Sequence, residues 1–189
     1  MLFRSVWQSY YLLEDALRTD SPRIAVFNVL ALKYGEPQNE AYNRMTLDGM
    51  RWGKEKYGAV RASMTDGEEM ITYLFPLLRF HARWSELTRE DVACMFRKEP
   101  VSHAGYLLRA EIRPVTKTPT PQPLLDPNLP ESSMQWLAKM EELCRTHGVT
   151  LVLMKSPSIE PYWYPEWDAQ IADFAKEHDL WYVDRKSVV

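Results

Sequence analysis

The sequence predicts an α/β protein with a mostly parallel sheet. Two segments, Arg23–Leu32 and Val149–Met154, are nearly continuous runs of apolar residues, which is typical of parallel strands covered on both faces. Each follows a segment whose apolar residues have helical spacing, and the connections between them are short. This alternation favours a doubly wound layout, here a flavodoxin-like three-layer sandwich that is incomplete and carries a helical insertion.

The first helix and the first strand are predicted within the first 32 residues. Val6–Arg18 has apolar residues close to helical spacing. Thr19–Pro22 ends this helix, because a proline disfavours helical conformation in the residue before it. The apolar run Arg23–Leu32 is then the first strand, and Tyr34–Asn43 is polar and turn-like.

Three further helices are predicted to form the insertion, at about residues 44–98, with aromatic side chains packed against the sheet core. Their ranges are Asp48–Met64, Gly67–Trp84 and Thr88–Phe96. Thr65 with Asp66 begins the second, and Thr88 with Asp91 caps the third. Pro76 should kink or split the second helix. Five prolines in the segment 115–130 predict a loop.

The α/β alternation resumes after this loop. Glu131–His147 is predicted as a helix with Gly148 as its C-cap, and Val149–Met154 as the second strand. Trp163–His178 is a further helix, and Leu180–Val183 is a third strand.

Composition excludes several classes of function. Hydrophobic residues make up 46% and charged residues 26%, which is an ordinary globular balance. The formal net charge of −3 argues against nucleic acid as a partner, because phosphate binding needs a basic surface. No apolar run approaches the roughly 20 residues of a membrane-spanning helix. Cys94 and Cys144 have neither a disulfide framework nor metal-ligand spacing, so no metal and no cofactor is predicted.

The sequence also lacks the short motifs of several enzyme classes. It contains no G-x-S-x-G, G-x-G-x-x-G, P-loop, H-E-x-x-H or C-x-x-C pattern. Its four histidines are far apart in the sequence. His147 and His178 are predicted at helix C-termini, where a cation is favourable with the helix dipole, which explains them without catalysis.

Both ends of the chain read as in-frame translations of a common sequencing adapter. CTC-TTC-CGA-TCT encodes Leu-Phe-Arg-Ser, and GAT-CGG-AAG-AGC-GTC-GTG encodes Asp-Arg-Lys-Ser-Val-Val. We therefore expect residues 1–5 and 184–189 to be adapter-derived, and residues 6–183 to be a partial α/β domain from a short metagenomic insert.

Five segments in order resemble the SGNH/GDSL hydrolase-like proteins of gut Firmicutes. They are WQSYYLL at 7–13, PRIAVFNV at 22–29, TLDGMRW at 46–52, YLFPLLRFHARWSELT at 73–88 and LVLMKSPS at 151–158. Such proteins have a serine nucleophile after the first strand and an Asp-x-x-His segment near the C-terminus, with a glycine and an asparagine as oxyanion-hole donors. The chain contains neither a Gly-Asp-Ser-like segment nor Asp-x-x-His.

The resemblance therefore implies an internal fragment of a serine esterase or acyltransferase. The parent protein would act on acyl esters of a cell-surface glycan, and it would be extracytoplasmic and membrane-anchored. The fragment itself is expected to be inactive, because the serine would lie before Val6 and the Asp-x-x-His segment after Val183.

Asn28, Trp7 and Gln8 are the candidate site residues in the first part of the chain. The resemblance places Asn28 on the third family strand, as a weak candidate for the catalytic oxyanion hole. The alternative is a hydrogen-bonded polar residue near a strand end. Trp7 and Gln8 begin the helix after the second family strand, close to the expected oxyanion-hole glycine.

The second group of candidates follows the strand Val149–Met154. Lys155, Ser156 and Ser158 would lie at the carboxyl edge of the sheet, where doubly wound proteins bind ligands. Trp163 belongs to an aromatic run that would stack on a sugar ring. The alternative is a helix-capping cluster that covers the sheet edge.

Two other functions remain open at this stage. A non-catalytic carbohydrate-binding or glycan-assembly protein would keep this fold without a catalytic triad. An unrelated flavodoxin-like ligand binder would need a Gly-rich phosphate loop after a strand, and the predicted strand ends have none.

Overall fold

The chain divides into two compact units. The computed structural model describes residues 5–35, 47–75, 78, 85–96, 126–157 and 163–185. One unit consists of Met1–Glu68 and Pro119–Val189, and the other of Glu69–Thr118. The first unit contains all the strands of the described residues.

Helices and strands alternate in the order that the sequence predicts. In the first unit the elements are α1 (Val6–Leu17), β1 (Ile24–Asn28), a 3-10 helix (Val29–Lys33), α2 (Lys54–Ser63), α5 (Glu131–Thr146), β2 (Thr150–Lys155), α6 (Pro165–Glu177) and β3 (Trp181–Asp184). The second unit contributes α3 (Met70–Leu74) and α4 (Arg89–Phe96). Every helix within the described ranges is too short or too polar to cross a lipid bilayer.

The three strands form one parallel sheet in the order β1-β2-β3. Ile24 pairs with Thr150 and Asn28 with Met154, while Val152 pairs with Trp181 and Lys155 with Asp184. The parallel sheet and its helices confirm the predicted α/β class.

One face of the sheet, the covered face, packs against helices. It carries Phe27, Leu151, Leu153 and Tyr182. These residues share a core with α1, α5 and α6, to which the helices contribute Val6, Leu137, Met140, Cys144, Ile171 and Ala175. The opposite face, the open face, carries Ile24, Val26, Asn28, Thr150, Val152, Met154, Trp181 and Val183.

The structure corrects the prediction for the first strand in two ways. The strand ends at Asn28, not at Leu32, because the Asn28 side-chain oxygen accepts a hydrogen bond from the Leu30 N–H (3.3 Å) and caps a 3-10 helix. The predicted burial of both faces is also wrong, since Ile24 is 58% and Val26 is 59% exposed. The apolar run thus continues into a 3-10 helix whose Val29 and Leu32 are buried in the core.

Helix α2 packs closely on α1. Gly58 lies so near Tyr11 that a Cβ at position 58 would come within 2.7 Å of the Tyr11 ring. At the end of α1, Arg18 donates a hydrogen bond to the buried Glu55 carboxylate (2.9 Å). A buried carboxylate needs such a partner, and the pair joins the two helices at one end.

The helices of the predicted insertion are shorter than expected. α2 begins at Lys54 and not at Asp48, after Gly53 in an extended conformation. α3 begins at Met70, since Thr65 and Glu68 form a separate hydrogen-bonded turn (2.8 Å from the Thr65 N–H to the carboxylate). The cap of α4 is confirmed, because the Thr88 N–H donates to Asp91 (2.7 Å).

Several predictions lie outside the described residues. These are the loop at 115–125 and most of the segment 76–84, which includes Pro76.

Candidate functional site

Three donors converge on the Asp168 carboxylate at the carboxyl ends of β2 and β3. Lys155 Nζ donates to it at 2.6 Å, Trp163 Nε1 at 2.8 Å and the Tyr182 hydroxyl at 2.8 Å. We call Asp168 and its three donors the Asp168 cluster. Lys155 Nζ also lies 3.6 Å from the carboxylate of Asp184, which belongs to the end of the chain that we expect to be adapter-derived and is not counted in the cluster.

The fold positions each member of the cluster by a different element. Lys155 is the last residue of β2, and Tyr182 lies on β3 beside Leu153. Asp168 is in the first turn of α6, which begins with Pro165, and a carboxylate is stabilised near a helix N-terminus. Trp163 precedes that helix by two residues, so its indole N–H reaches back to Asp168.

The cluster shifts the pKa values of two of its members. Burial by itself would raise the pKa of Asp168, but the hydrogen bonds from Lys155, Trp163 and Tyr182 outweigh it and lower the pKa below its ordinary value. Burial, followed by the hydrogen bond to Asp168, raises the pKa of Tyr182 well above its ordinary range. Asp168 is therefore a carboxylate and Tyr182 a neutral phenol at neutral pH.

Three aromatic side chains, which we call the aromatic group, lie beside the cluster: Trp163, Tyr164 and Trp167. The Trp163 and Trp167 rings are 5.4 Å apart and nearly perpendicular, and the Tyr164 and Trp167 rings are 4.9 Å apart with the same geometry. Lys155 Nζ is 5.7 Å from the Trp163 ring centroid. All three rings are partly exposed, so they offer apolar faces next to fixed polar groups.

This arrangement favours binding over proton transfer. The Lys155 side chain donates a hydrogen bond to Asp168 and lies 3.6 Å from the Asp184 carboxylate, so its donors are already engaged by residues of the protein. The Asp168 carboxylate already accepts three hydrogen bonds. Rigid polar groups beside aromatic rings are suited to a ligand with both hydroxyl groups and apolar faces.

Two of the predicted site residues, Lys155 and Trp163, are brought together by this cluster. Ser156 follows directly on β2 and is half-buried, whereas Ser158 lies outside the described residues. Asn28 is at the carboxyl end of β1, where its side-chain oxygen is occupied in capping the 3-10 helix. Its role in an oxyanion hole stays a prediction.

Trp7 and Gln8 are each only 2% exposed. The Gln8 side-chain oxygen accepts a hydrogen bond from the Ser5 N–H (3.2 Å), which caps the start of α1. The Trp7 indole nitrogen is buried without a hydrogen-bond partner. In the described structure these two residues serve the packing of α1 and are not at a ligand-accessible surface.

Sequence reasoning missed Asp168 and Tyr182. Each is more than ten residues from Lys155, and only the register of β2 and β3 together with the start of α6 brings them to it. An acidic residue in the first turn of a helix at the carboxyl edge of the sheet was the available signal.

The two described histidines lie at the C-termini of α5 and α6, where the chain enters the amino ends of β2 and β3. The His147 ring lies 2.9 Å from the Leu143 carbonyl oxygen, and the His178 ring stacks on Phe174 with 4.2 Å between centroids. His178 Nδ1 is 3.5 Å from the Glu141 carboxylate. Both residues lead into the amino ends of strands, opposite the edge that carries Lys155.

The described residues offer no metal centre, and the thiol of Cys144 is not activated. Within these ranges no three His, Cys, Asp or Glu side chains are grouped so that they could hold a metal ion. Burial, with a smaller contribution from Glu141, raises the pKa of Cys144 to about 11, so this thiol is protonated at neutral pH.

Comparison with known proteins identifies no relative of this chain. No protein-family model matches it, and neither a curated protein nor a solved structure is significantly similar to it.

Proposed function

We propose that the chain is part of an SGNH/GDSL-type serine esterase or acyltransferase that acts on acyl esters of a cell-surface glycan. Its fold would be a flavodoxin-like three-layer sandwich, of which this chain supplies an incomplete portion. The parent protein would be extracytoplasmic and membrane-anchored, and the chain by itself would be inactive.

The Asp168 cluster is the observation that carries this proposal. It lies at the carboxyl ends of parallel strands, where open α/β sheets bind their ligands. Trp163 and Tyr164 offer aromatic faces there, and such faces stack on sugar rings. Of the five segments that resemble the family, the fifth (residues 151–158) covers most of β2 and includes Lys155 of the cluster.

Two observations support the expectation of inactivity. The sequence has no Asp-x-x-His segment, and both described histidines lie at the opposite edge of the sheet from Lys155. A serine nucleophile needs a histidine within hydrogen-bond distance to accept its proton. We therefore expect the purified chain to remain unlabelled by a fluorophosphonate probe, and labelling of any serine would overturn this part of the proposal.

The sequence of the parent gene distinguishes the enzyme from its main alternative. A Gly-Asp-Ser-like loop encoded upstream and an Asp-x-x-His segment encoded downstream would support the esterase or acyltransferase. A protein extended to include both should then react with the same probe. Substitutions at these positions would favour the alternative, a non-catalytic carbohydrate-binding or glycan-assembly protein.

The aromatic group also gives a direct test of glycan binding. Replacing Trp163 with Ala removes the stacking ring, whereas Trp163→Phe keeps a ring and loses only the hydrogen bond to Asp168. We expect Trp163→Ala to weaken binding to acylated cell-wall oligosaccharides by about tenfold in calorimetry, while Trp163→Phe retains most of it. Trp52→Ala, at an exposed tryptophan before α2, is the matched control.

Two outcomes would contradict glycan recognition at this site. One is the absence of measurable binding by the unmodified chain. The other is equal binding by the Trp163→Ala and Trp52→Ala variants.

A further inference from the structure

The open face of the sheet exposes large apolar side chains. Ile24 and Val26 on β1 are more than half exposed, Trp181 on β3 is 72% exposed and Val183 is 41% exposed. The register places Val26, Val152 and Trp181 in one row across the three strands. The largest apolar patch on a soluble protein is often a site of interaction with another molecule.

The strand order explains why the helices that connect the strands leave this face uncovered. Each strand lies next to the one before it and on the same side, so the order across the sheet is β1, β2, β3. Right-handed crossovers that progress in one direction place their helices on the same face. In agreement, α5 and α6 both pack on the covered face. Parallel sheets are almost always covered on both faces, and the described helices α1, α5 and α6 share a core with the covered face only.

The open face is chemically suited to pack against the open face of a second copy of the chain. None of its eight strand positions carries an ionisable side chain, and only Asn28 and Thr150 are polar. Two copies related by a two-fold axis would bring the same surface into contact, so neither charge burial nor like-charge repulsion opposes their association. Tryptophan is also the residue type most often found to dominate binding at protein interfaces.

The available area is enough for a weak dimer. The four most exposed side chains present roughly 450 Å² per copy, given about 250 Å² for a whole tryptophan and somewhat less for Ile and Val. The partly buried residues of the face bring the total for two copies to about 1,200 Å², the lower limit of specific interfaces.

We propose that the open face is an interface between two copies of this chain. The two sheets pack face to face, about 10 Å apart, with the Val26–Val152–Trp181 row near the centre of each. Interfaces near this lower limit are typical of weak and transient complexes, so we expect association in roughly the micromolar range or above. The inference concerns this chain by itself and leaves the Asp168 cluster, on the covered face, unaffected. In the proposed parent protein, the missing helical layer of the three-layer sandwich would cover the open face instead.

Sedimentation velocity of the full chain, at roughly 2–200 μM to bracket such an affinity, tests the proposal. We expect the unmodified chain to shift with concentration from 22.2 kDa to twice that mass. Val26→Lys should raise the dissociation constant by more than tenfold, since it places a charge in the interface of both copies. Trp181→Thr, which keeps a good strand former at the edge of the sheet, should raise it by about tenfold.

Leu87→Lys is the matched control, because Leu87 is 62% exposed and lies in the other unit. This variant should dimerise as the unmodified chain does. A monomer throughout the concentration range would overturn the proposal and would indicate that a different polypeptide covers the open face. An unchanged dissociation constant for Trp181→Thr, with native circular dichroism, would overturn it as well, by placing the interface elsewhere, such as at a strand edge.

Discussion

Two consecutive helix-to-strand units, α5–β2 and α6–β3, have the same turn but different means of stabilisation. In each, a histidine ends the helix, the next residue has a positive φ, and the residue after that donates a backbone hydrogen bond five residues back. Gly148 has φ +67° in the first turn, and Asp179 has φ +53° in the second. Only glycine adopts this conformation without strain.

The strands that follow these turns differ in burial. β2 is the central strand, and its Leu151 and Leu153 are almost wholly inaccessible. β3 is an edge strand that exposes Trp181 and Val183 on the open face. It is tied to α6 by the hydrogen bond from the Tyr182 hydroxyl to Asp168. Apolar burial thus stabilises the central strand β2, whereas hydrogen bonds of the polar Asp168 cluster fix the edge strand β3.

The largest expected effect is at the central strand. Leu153→Ala should lower the free energy of unfolding by about 3–4 kcal/mol, because Leu153 is fully buried and its removal leaves a cavity. Val183→Ala on β3 should cost less than about 1 kcal/mol, since the side chain is 41% exposed. Urea denaturation measures both, and equal losses would contradict the contrast between the two strands.

The polar cluster should contribute less, and its contribution should depend on pH. Asp168→Ala should cost roughly 1–2 kcal/mol at pH 7, since it removes three hydrogen bonds from a partly exposed carboxylate. Because folding lowers the pKa of Asp168, its contribution is complete above the unfolded pKa, about 3.9, and is lost as the pH falls through the lower folded value.

Urea denaturation from pH 7 to pH 2.5 checks this pH dependence. The difference between the unmodified chain and Asp168→Ala should shrink steadily below about pH 4. Asp173→Ala, at an exposed carboxylate on the same helix, should show almost no difference at any pH. A difference for Asp168→Ala that stays constant down to pH 2.5 would mean that lost packing, and not lost charge, destabilises the variant.

The smallest effects should have opposite signs at the two turns. Gly148→Ala should destabilise by about 1 kcal/mol through backbone strain alone, as a Cβ there would meet no atom within 4 Å. Asp179→Gly should stabilise by roughly 0.5–1 kcal/mol, because it relieves strain and removes a negative charge from a helix C-terminus. Thermal denaturation measures both, and a loss of stability in Asp179→Gly would point to a favourable contact of the Asp179 side chain.

The sequence predicted α5, β2, α6 and β3 to within two residues at every boundary. Their apolar periodicity is regular, and Gly148 marks the end of one helix. The first strand was predicted to run four residues past its actual end at Asn28, because apolar content cannot separate a strand from a 3-10 helix that enters the same core. The Asn28 side chain, which bonds the backbone two residues later, decides between the two.

The candidate site was predicted only in part for a related reason. Lys155 follows an obvious strand, so its position at the sheet edge could be inferred from local pattern. Asp168 and Tyr182 join it only once the register of β2 with β3 is known. Burial of Trp7 and Gln8 likewise depends on how α1 packs on the rest of the unit, which its own sequence does not specify.

The pairing of the strands also has a kinetic consequence. Val152 pairs with Trp181 across one helix, whereas Ile24 pairs with Thr150 across a stretch of chain roughly four times as long. Closing a loop four times longer costs about 1.2 kcal/mol more in chain entropy, and contacts between distant residues slow folding. The pairing of β2 with β3 should therefore form early in folding. The pairing of β1 with β2 should form late, once the long segment between them has become compact.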